Sequence, residues 1–492
     1  IDPSIQYTMA NGGGTNITRE TPIASDADRR VVGTTGLTGL DLNGDGDLLD
    51  TVRLYTPNNT NTKRWGLTSS LIWDINDANR VRLSYTIDYG QHRQTAAWTT
   101  IDADGTPRNV FAGRQGPKVP TADGSFLRGR DRYSVASMNQ LSAEWIGQFV
   151  DDRLVATLGV RAPQFKRELN QYCYTPNGGS GNSSAANSNT GALCTTQVPV
   201  ATLPNGNVVF INSPTAVQYI APYAETIKFD DVLPNLGLTY ALTDSQTMYA
   251  SYAEGLSAPR TDNLYPVRRL ANGRIGRGIP ESELTKAYDI GWRYNSGALL
   301  ASAAIWKVDY DNRIASSFDP DLGFNVDRNL GQVKIQGFDL QAGWRPLELL
   351  TVSGSASYND SELQQDVQLS ATVVSPTKGK TLVETPDWTY ALRADLNLGE
   401  RFTAGLQAKY VGRRAATDTN DEFAASYTVV DLDTNYDFDL GNDMELSAQL
   451  NVINLLDEEY FGSISSGTGG TSVGFYNIGA PRTVMVSMRL SF

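Results

Sequence analysis

The sequence predicts an all-β protein, and within that class a transmembrane antiparallel β-barrel. Three observations predict it. Hydropathy alternates with period two in one segment after another, short turns and long loops take turns along the chain, and Tyr and Trp gather near the ends of the alternating segments. The 492 residues contain no recognisable linker, so they read as one piece of architecture. No stretch approaches the roughly 18 to 20 apolar residues of a membrane-spanning helix, which excludes a helical membrane protein. A barrel is not excluded, because inward and outward residues of its strands average out in hydropathy. Gly is abundant at 45 and Tyr at 23 while Met is only 6, a composition suited to strands and loops. A formal charge of −13 argues against the basic face of a general nucleic-acid binder. The one histidine, His92, makes most His-based catalytic and metal sites implausible.

In chain order, residues 1–63 are expected to form a long extracellular loop region, with room for one strand near Ser4–Met9. The barrel is expected over 64–492, with about fifteen strands between Arg64 and Phe492. Val81, Leu83, Tyr85, Ile87 and Tyr89 alternate with Arg80, Arg82, Ser84, Thr86 and Asp88. Trp388, Tyr390, Leu392, Ala394, Leu396 and Leu398 alternate with Thr389, Ala391, Arg393, Asp395 and Asn397. Val430, Leu432, Thr434, Tyr436, Phe438 and Leu440 face away from Asp431, Asp433, Asn435, Asp437 and Asp439, and Leu446 to Val452 and Val484 to Phe492 repeat the pattern. Tight turns rich in Asn, Asp and Gly are expected at 76–78, 151–152, 243–245, 295–297, 346–348, 399–400 and 441–443. Long connections fall between them, roughly at 90–132, 164–230, 255–284, 312–330, 361–385, 414–425 and 456–479. A soluble sandwich also alternates, but it does not usually gather all its short turns at one end. A meander in lipid must also close, because unpaired backbone groups in hydrocarbon cost several kcal/mol each.

Four segments resemble a known family. They are Tyr249–Pro259 (YASYAEGLSAP), Gly379–Thr389 (GKTLVETPDWT), Asn451–Tyr460 (NVINLLDEEY) and Gly479–Arg482 leading to Leu490-Ser491-Phe492. Their order and spacing to the C-terminus resemble the barrel of TonB-dependent outer-membrane receptors, over roughly 64–492. The resemblance implies an importer that binds a scarce solute (a siderophore, cobalamin, an oligosaccharide or similar) and admits it with work supplied by the inner-membrane TonB complex. No covalent chemistry is implied. The family's barrels have about 22 strands and an N-terminal plug, whereas about 15 or 16 strands and no plug are legible here. The expectation is the C-terminal portion of a longer receptor, with TonB contacted through an N-terminal region outside this chain. Ile1-Asp2-Pro3-Ser4 carries no signal-peptide pattern. A passive porin or a surface adhesin built on a barrel is the rival reading, and a secreted soluble β-protein a third. The terminal stripe ending in Phe492 resembles the assembly signal of bacterial outer-membrane proteins. It places the short turns in the periplasm and the long loops outside the cell, with barrel-assembly machinery and lipopolysaccharide as expected partners.

Several residues are candidates for a site. Asp41, Asn43 and Asp45 occupy positions 1, 3 and 5 of a calcium loop, with Gly46 at the sharp turn and Asp47 and Asp50 adding oxygens. Val52 stands where the bidentate Glu belongs, so the alternative is a solvated acidic turn. Calcium is the only cofactor suggested. Cys173 and Cys194 flank a Gly/Asn/Ser-rich segment and read as a loop-closing disulfide in an oxidising compartment, worth about 3 kcal/mol. The alternative is two free thiols. Arg268, Arg269, Arg274 and Arg277 cluster in one long loop of an acidic protein. They suit an anionic ligand, or else lipopolysaccharide phosphates or neighbouring acids. His92 is expected as an exposed rim residue. Lys378-Gly379-Lys380-Thr381 lacks the first glycine and the strand–loop–helix context of a phosphate-binding loop.

Overall fold

The computed structural model describes residues 1–19, 45–47, 50–112, 115–119, 126–177, 194–210, 218–265, 267–269, 275–276, 279–319, 324–369, 373–441, 444–465 and 475–492. Asp41, Asn43, Arg274 and Arg277 lie outside them. The described residues are all-β apart from short turns, with one 3-10 turn at Thr261–Leu264.

One sheet of 17 strands carries the fold. Its strands are β1 Asp2–Asn11, β2 Asn59–Asn76, β3 Asn79–Ala97, β4 Arg128–Phe149, β5 Leu154–Gln171 and β6 Tyr223–Asp230. There follow β7 Leu233–Thr243, β8 Gln246–Ser257, β9 Glu283–Asn295, β10 Leu299–Asp311, β11 Val333–Leu347 and β12 Leu350–Leu363. The last five are β13 Trp388–Leu398, β14 Phe402–Val411, β15 Tyr427–Gly441, β16 Met444–Ile453 and β17 Thr483–Ser491. The sheet is an antiparallel meander, running from Tyr7↔Lys63 between β1 and β2 to Leu450↔Val486 between β16 and β17. β6 and β7 hold one continuous register against β5, from Tyr223↔Gln171 through Asp230↔Gln164 to Leu233↔Arg161 and Tyr240↔Leu154. The break between them falls opposite Pro163, which has no N–H to give to the ladder. Among the described residues, β1 pairs only with β2 and β17 only with β16.

The connections alternate as expected. Tight turns join β2–β3, β4–β5, β7–β8, β9–β10, β11–β12, β13–β14 and β15–β16. In them, Asn76 and Asn295 side chains accept from the N–H groups of Ala78 and Gly297, at 3.0 and 3.2 Å. Gly297 and Gly399 take φ of 74° and 70°, which other residues adopt only at a cost. The long loops carry small hairpins of their own, such as Gly14–Arg19 with Thr51–Thr56 and Ile314–Asp319 with Phe324–Asn329. β1 and this first hairpin lie within residues 1–63, and β2 starts at Asn59.

Burial is inverted relative to a soluble domain. The apolar clusters lie at the long-loop end: Leu54, Trp98, Val119 and Leu127; Leu330, Val333, Leu363, Val367 and Leu369; Leu169, Leu264 and Tyr265. Along the strands the apolar face is open, with Ile305 71%, Leu392 58% and Val486 65% exposed. A sandwich would cover that face with a second sheet; here it stays open among the described residues, as a strand face turned to lipid would. Aromatic rings border this band. Phe338, Tyr358, Trp388, Tyr390 and Tyr410 form a contact chain towards the long loops, with centroids 4.9 to 5.7 Å apart. Trp73, Trp292, Trp344 and Tyr436 occupy the short-turn end of the same face, as interfacial girdles do.

Candidate functional site

The opposite face of the sheet is polar, and its residues are braced against one another. On β13 to β16, Arg393 donates to Asp433 at 2.9 Å and pairs with Asp395 at 2.6 Å. The bridge crosses Gly405, which pairs with both Asp395 and Asp433; a Cβ there would come within 2.3 Å of the guanidinium. Asp437 accepts from Ser447 and Asn435. The other side of the same face is more basic. Arg64 forks onto Asp88, and together with His92, Thr62 and Arg167 they line a cavity of about 520 Å³. His92 is half-buried, with Nδ1 3.0 Å from Thr62 Oγ. It is not an exposed rim residue, because β3 continues to Ala97.

Above this face the loops interlock. The loop between β8 and β9 folds onto β3 and β4, where Asp262 accepts from Arg132 and Gln94, each at 2.8 Å. Arg132 also donates to Gln94 at 2.7 Å, and its guanidinium carbon lies 4.1 Å from the Tyr265 ring centroid. The Tyr265 hydroxyl is 2.7 Å from Ser134 Oγ, and Tyr223 donates to the Tyr265 carbonyl at 2.7 Å. Burial pushes the Asp262 carboxyl up, but Arg132, then Gln94 and Arg130, outweigh it and hold the group below the usual carboxylate range. Burial raises the Tyr265 phenol despite its bond to Ser134. Neighbouring loops are tied to the same crown. Asn263 donates to both Asp327 oxygens at 2.8 Å, Arg313 pairs with Glu283 at 2.9 Å, and Glu384 accepts from the Ile464 N–H at 2.8 Å.

The sequence candidates are distributed over this crown. Cys173 and Cys194 form a disulfide, with Cα atoms 5.6 Å apart and both residues buried. Arg269 donates from Nε to Asn207 at 2.8 Å, and its N–H meets Asn177 at 2.6 Å, so it joins its loop to the disulfide loop. Arg268 pairs with Gly276 in a two-residue hairpin. The carboxylates of Asp45, Asp47 and Asp50 converge, with oxygens within 4.8 Å of one another. Phe492 lies just beyond β17, fully exposed. The Arg132–Asp262–Tyr265 anchor was not a sequence candidate. Its signal was the alternation Arg128-Gly129-Arg130-Asp131-Arg132, which puts arginines on one strand face.

The family model for the TonB dependent receptor-like β-barrel matches residues 4–455. This chain belongs to that family. Family members are outer-membrane β-barrels of Gram-negative bacteria, and the chain is an outer-membrane protein. Its homologues are TonB-dependent siderophore receptors. The catecholate siderophore receptor Fiu of Escherichia coli K12 is 23% identical over 299 residues, 57% of this chain and 36% of Fiu. The probable TonB-dependent siderophore receptor PiuA of Acinetobacter baumannii is 26% identical over 257 residues, 50% of this chain and 33% of PiuA. The chain thus matches about a third of the length of these relatives. Among solved structures, the ferric yersiniabactin uptake receptor FyuA from Yersinia pestis aligns with TM-score 0.58 and 15% identity, over 90% of this chain and 55% of FyuA. The copper transporter OprC aligns with TM-score 0.57 and 16% identity, over 98% of this chain and 61% of OprC. At these identities the alignments speak for the TonB-dependent receptor fold. The relatives are transport receptors rather than enzymes.

Proposed function

We propose that this chain is the strand-and-loop portion of a receptor that captures an iron-chelating siderophore and imports it with TonB-supplied work. The observation that carries the reading is the braced crown over a polar, charge-bearing sheet face in a chain of this family. Loops tied by Arg132–Asp262, Arg313–Glu283 and the disulfide give a preorganised rim, which lowers the entropy lost on capture. The names of the relatives support the solute class. The long-loop end is the extracellular end, and the arginine-bearing loop between β8 and β9 contributes contacts to an anionic chelate. TonB is engaged by a region outside this chain, and barrel-assembly machinery and lipopolysaccharide are the membrane partners. The loop of Asp41, Asn43, Asp45, Asp47 and Asp50 would hold calcium. Calorimetry with added Ca²⁺ and then EGTA tests that loop: no heat and unchanged protease sensitivity would remove calcium from the account.

Growth of a deletion strain under iron limitation, supplied with purified ferric siderophores and with or without functional TonB, tests the main reading. Expected is growth restored by the full-length receptor only when TonB is present. Uptake indifferent to TonB would instead support the passive porin.

A further inference from the structure

On the polar face, one register row joins Arg64, Gly90, Ala136 and Arg167 across β2 to β5. Two arginines stand at its ends, about 14 Å apart by strand spacing, and nothing larger than a methyl group stands between them. The row above carries Thr62 and His92, and the row below carries Asp88, Met138 and Phe165. Phe165 pairs in turn with Phe229 of β6, so an apolar strip interrupts the polar wall. The cavity of about 520 Å³ lies in this hollow.

The charges around it do not balance. Arg64 forks onto Asp88, which uses the one carboxylate among the described lining residues. Arg167 has no ion pair among the described residues. Its Nη1 donates to the Lys166 carbonyl at 3.4 Å, beyond the usual range, and its Nε is buried without a partner. His92 meets Thr62 through Nδ1, while Nε2 leans over the floor: a Cβ added at Gly90 would lie 3.1 Å from it. When the Thr62 hydroxyl donates to Nδ1, Nε2 carries the ring proton and donates in its turn. Two donors, one of them fully charged, therefore border a hollow with an apolar strip beside it. A carboxylate offers an oxygen to each donor, and an apolar body attached to it covers Met138 and Phe165. A single negative charge matches the deficit. A polyhydroxylated or doubly charged ligand would leave polar groups unpaired on the strip, at a cost in desolvation.

We propose that this cavity binds a metal-free monocarboxylic acid with an apolar body. Arg167 and the Nε2 of His92 hold the carboxylate, and Met138 and Phe165 carry the body. The site lies two rows below the Arg132–Gln94 pair and shares no residue with the crown. It needs neither TonB nor a ferric chelate, so failure of the growth test above would leave it standing.

The test uses the full-length receptor in mild detergent, freed of iron, with empty micelles as the blank. Fluorine NMR reads the binding of 4-fluorobenzoate. The neutral 4-fluorobenzamide and the bodiless trifluoroacetate are the comparison probes. Expected is saturable binding of 4-fluorobenzoate with Kd of about 1 mM, and binding about tenfold weaker for each comparison probe. Arg167→Gln and His92→Gln should each weaken 4-fluorobenzoate binding several-fold, with the heat-modifiable gel mobility of the folded protein retained. Lys409→Gln, an exposed cation on the polar face of β14 outside the cavity, should not. No saturable binding, or unchanged binding in both Arg167→Gln and His92→Gln, would overturn the site. Equal loss in Lys409→Gln would reduce it to general charge attraction. Benzamide binding as tight as benzoate would remove the carboxylate from the account, and trifluoroacetate binding as tight would remove the apolar body.

Discussion

Asn454 shows how much a single side chain can organise. It follows β16 with φ of 53°, is fully buried, and donates to the carbonyls of Glu458 and Ala480 at 2.9 and 3.0 Å. Its own oxygen accepts from the Glu458 N–H at 2.8 Å, and its backbone N–H reaches Asp431 at 2.8 Å. Close by, the Arg482 N–H and then its guanidinium hold Asp457 below the usual carboxylate range. Asn454→Ala should therefore cost about 3 kcal/mol, from lost bonds and a left-handed backbone that Ala tolerates poorly. Asn454→Gly should cost less, because the backbone term disappears; urea unfolding in detergent measures both. On the two sheet faces, Leu392→Arg should cost about 2 to 4 kcal/mol in lipid, whereas Thr389→Arg, on the polar face near a strand end, should be far milder. Equal damage would contradict the assignment of faces. The segments around Asn454 and Arg482 were legible as family-like sequence, but the reason for them was not. A turn residue that bonds a loop 26 positions away is visible only once the chain is folded.

Among the elements, the strands were legible because lipid rather than a protein core covers one face, which keeps the period-two pattern clean. Their upper ends were not. Long loops were expected from about residue 90 and residue 164, yet β3 runs to Ala97 and β5 to Gln171. Above the bilayer both faces meet protein or water, so alternation stops carrying information while the ladder continues. The Asp262 strap was equally hidden, since Arg132 and Asp262 are 130 residues apart. Its carboxyl lies below the ordinary range when docked, so its contribution is complete above about pH 4 and is lost as pH falls through the docked value. Protease sensitivity of the loop between β8 and β9 should therefore rise in acid, and Asp262→Asn should raise it at neutral pH. A loop equally resistant in both cases would show that the strap is held by Leu264 and Tyr265 alone. The disulfide anchors the neighbouring loop. Intact cells given a membrane-impermeant thiol reagent should be labelled only after reduction, and labelling beforehand would place free thiols at the surface.

At the scale of the molecule, β17 ends the sheet on a stripe of Val484, Val486, Met488 and Leu490, followed by Phe492. An aromatic ring at the end of an apolar stripe prefers an interface, so Phe492 belongs at a membrane surface. Deleting Phe492 should lower the folded receptor in the outer membrane without changing synthesis, and Phe492→Tyr should be tolerated. Normal surface abundance for the deletion would leave the residue only a packing role.

The two outermost strands also carry a direction. β1 runs towards the long-loop end and β17 away from it, so the first and last edges of the meander are antiparallel to each other. Hydrocarbon tolerates neither edge unpaired. In an antiparallel ring each added strand reverses the sense of the next. Direct pairing of β1 with β17 closes the ring, and so does any even number of strands placed between them. An odd number would force one parallel seam. Any strands that stand between these two edges therefore come in an even number.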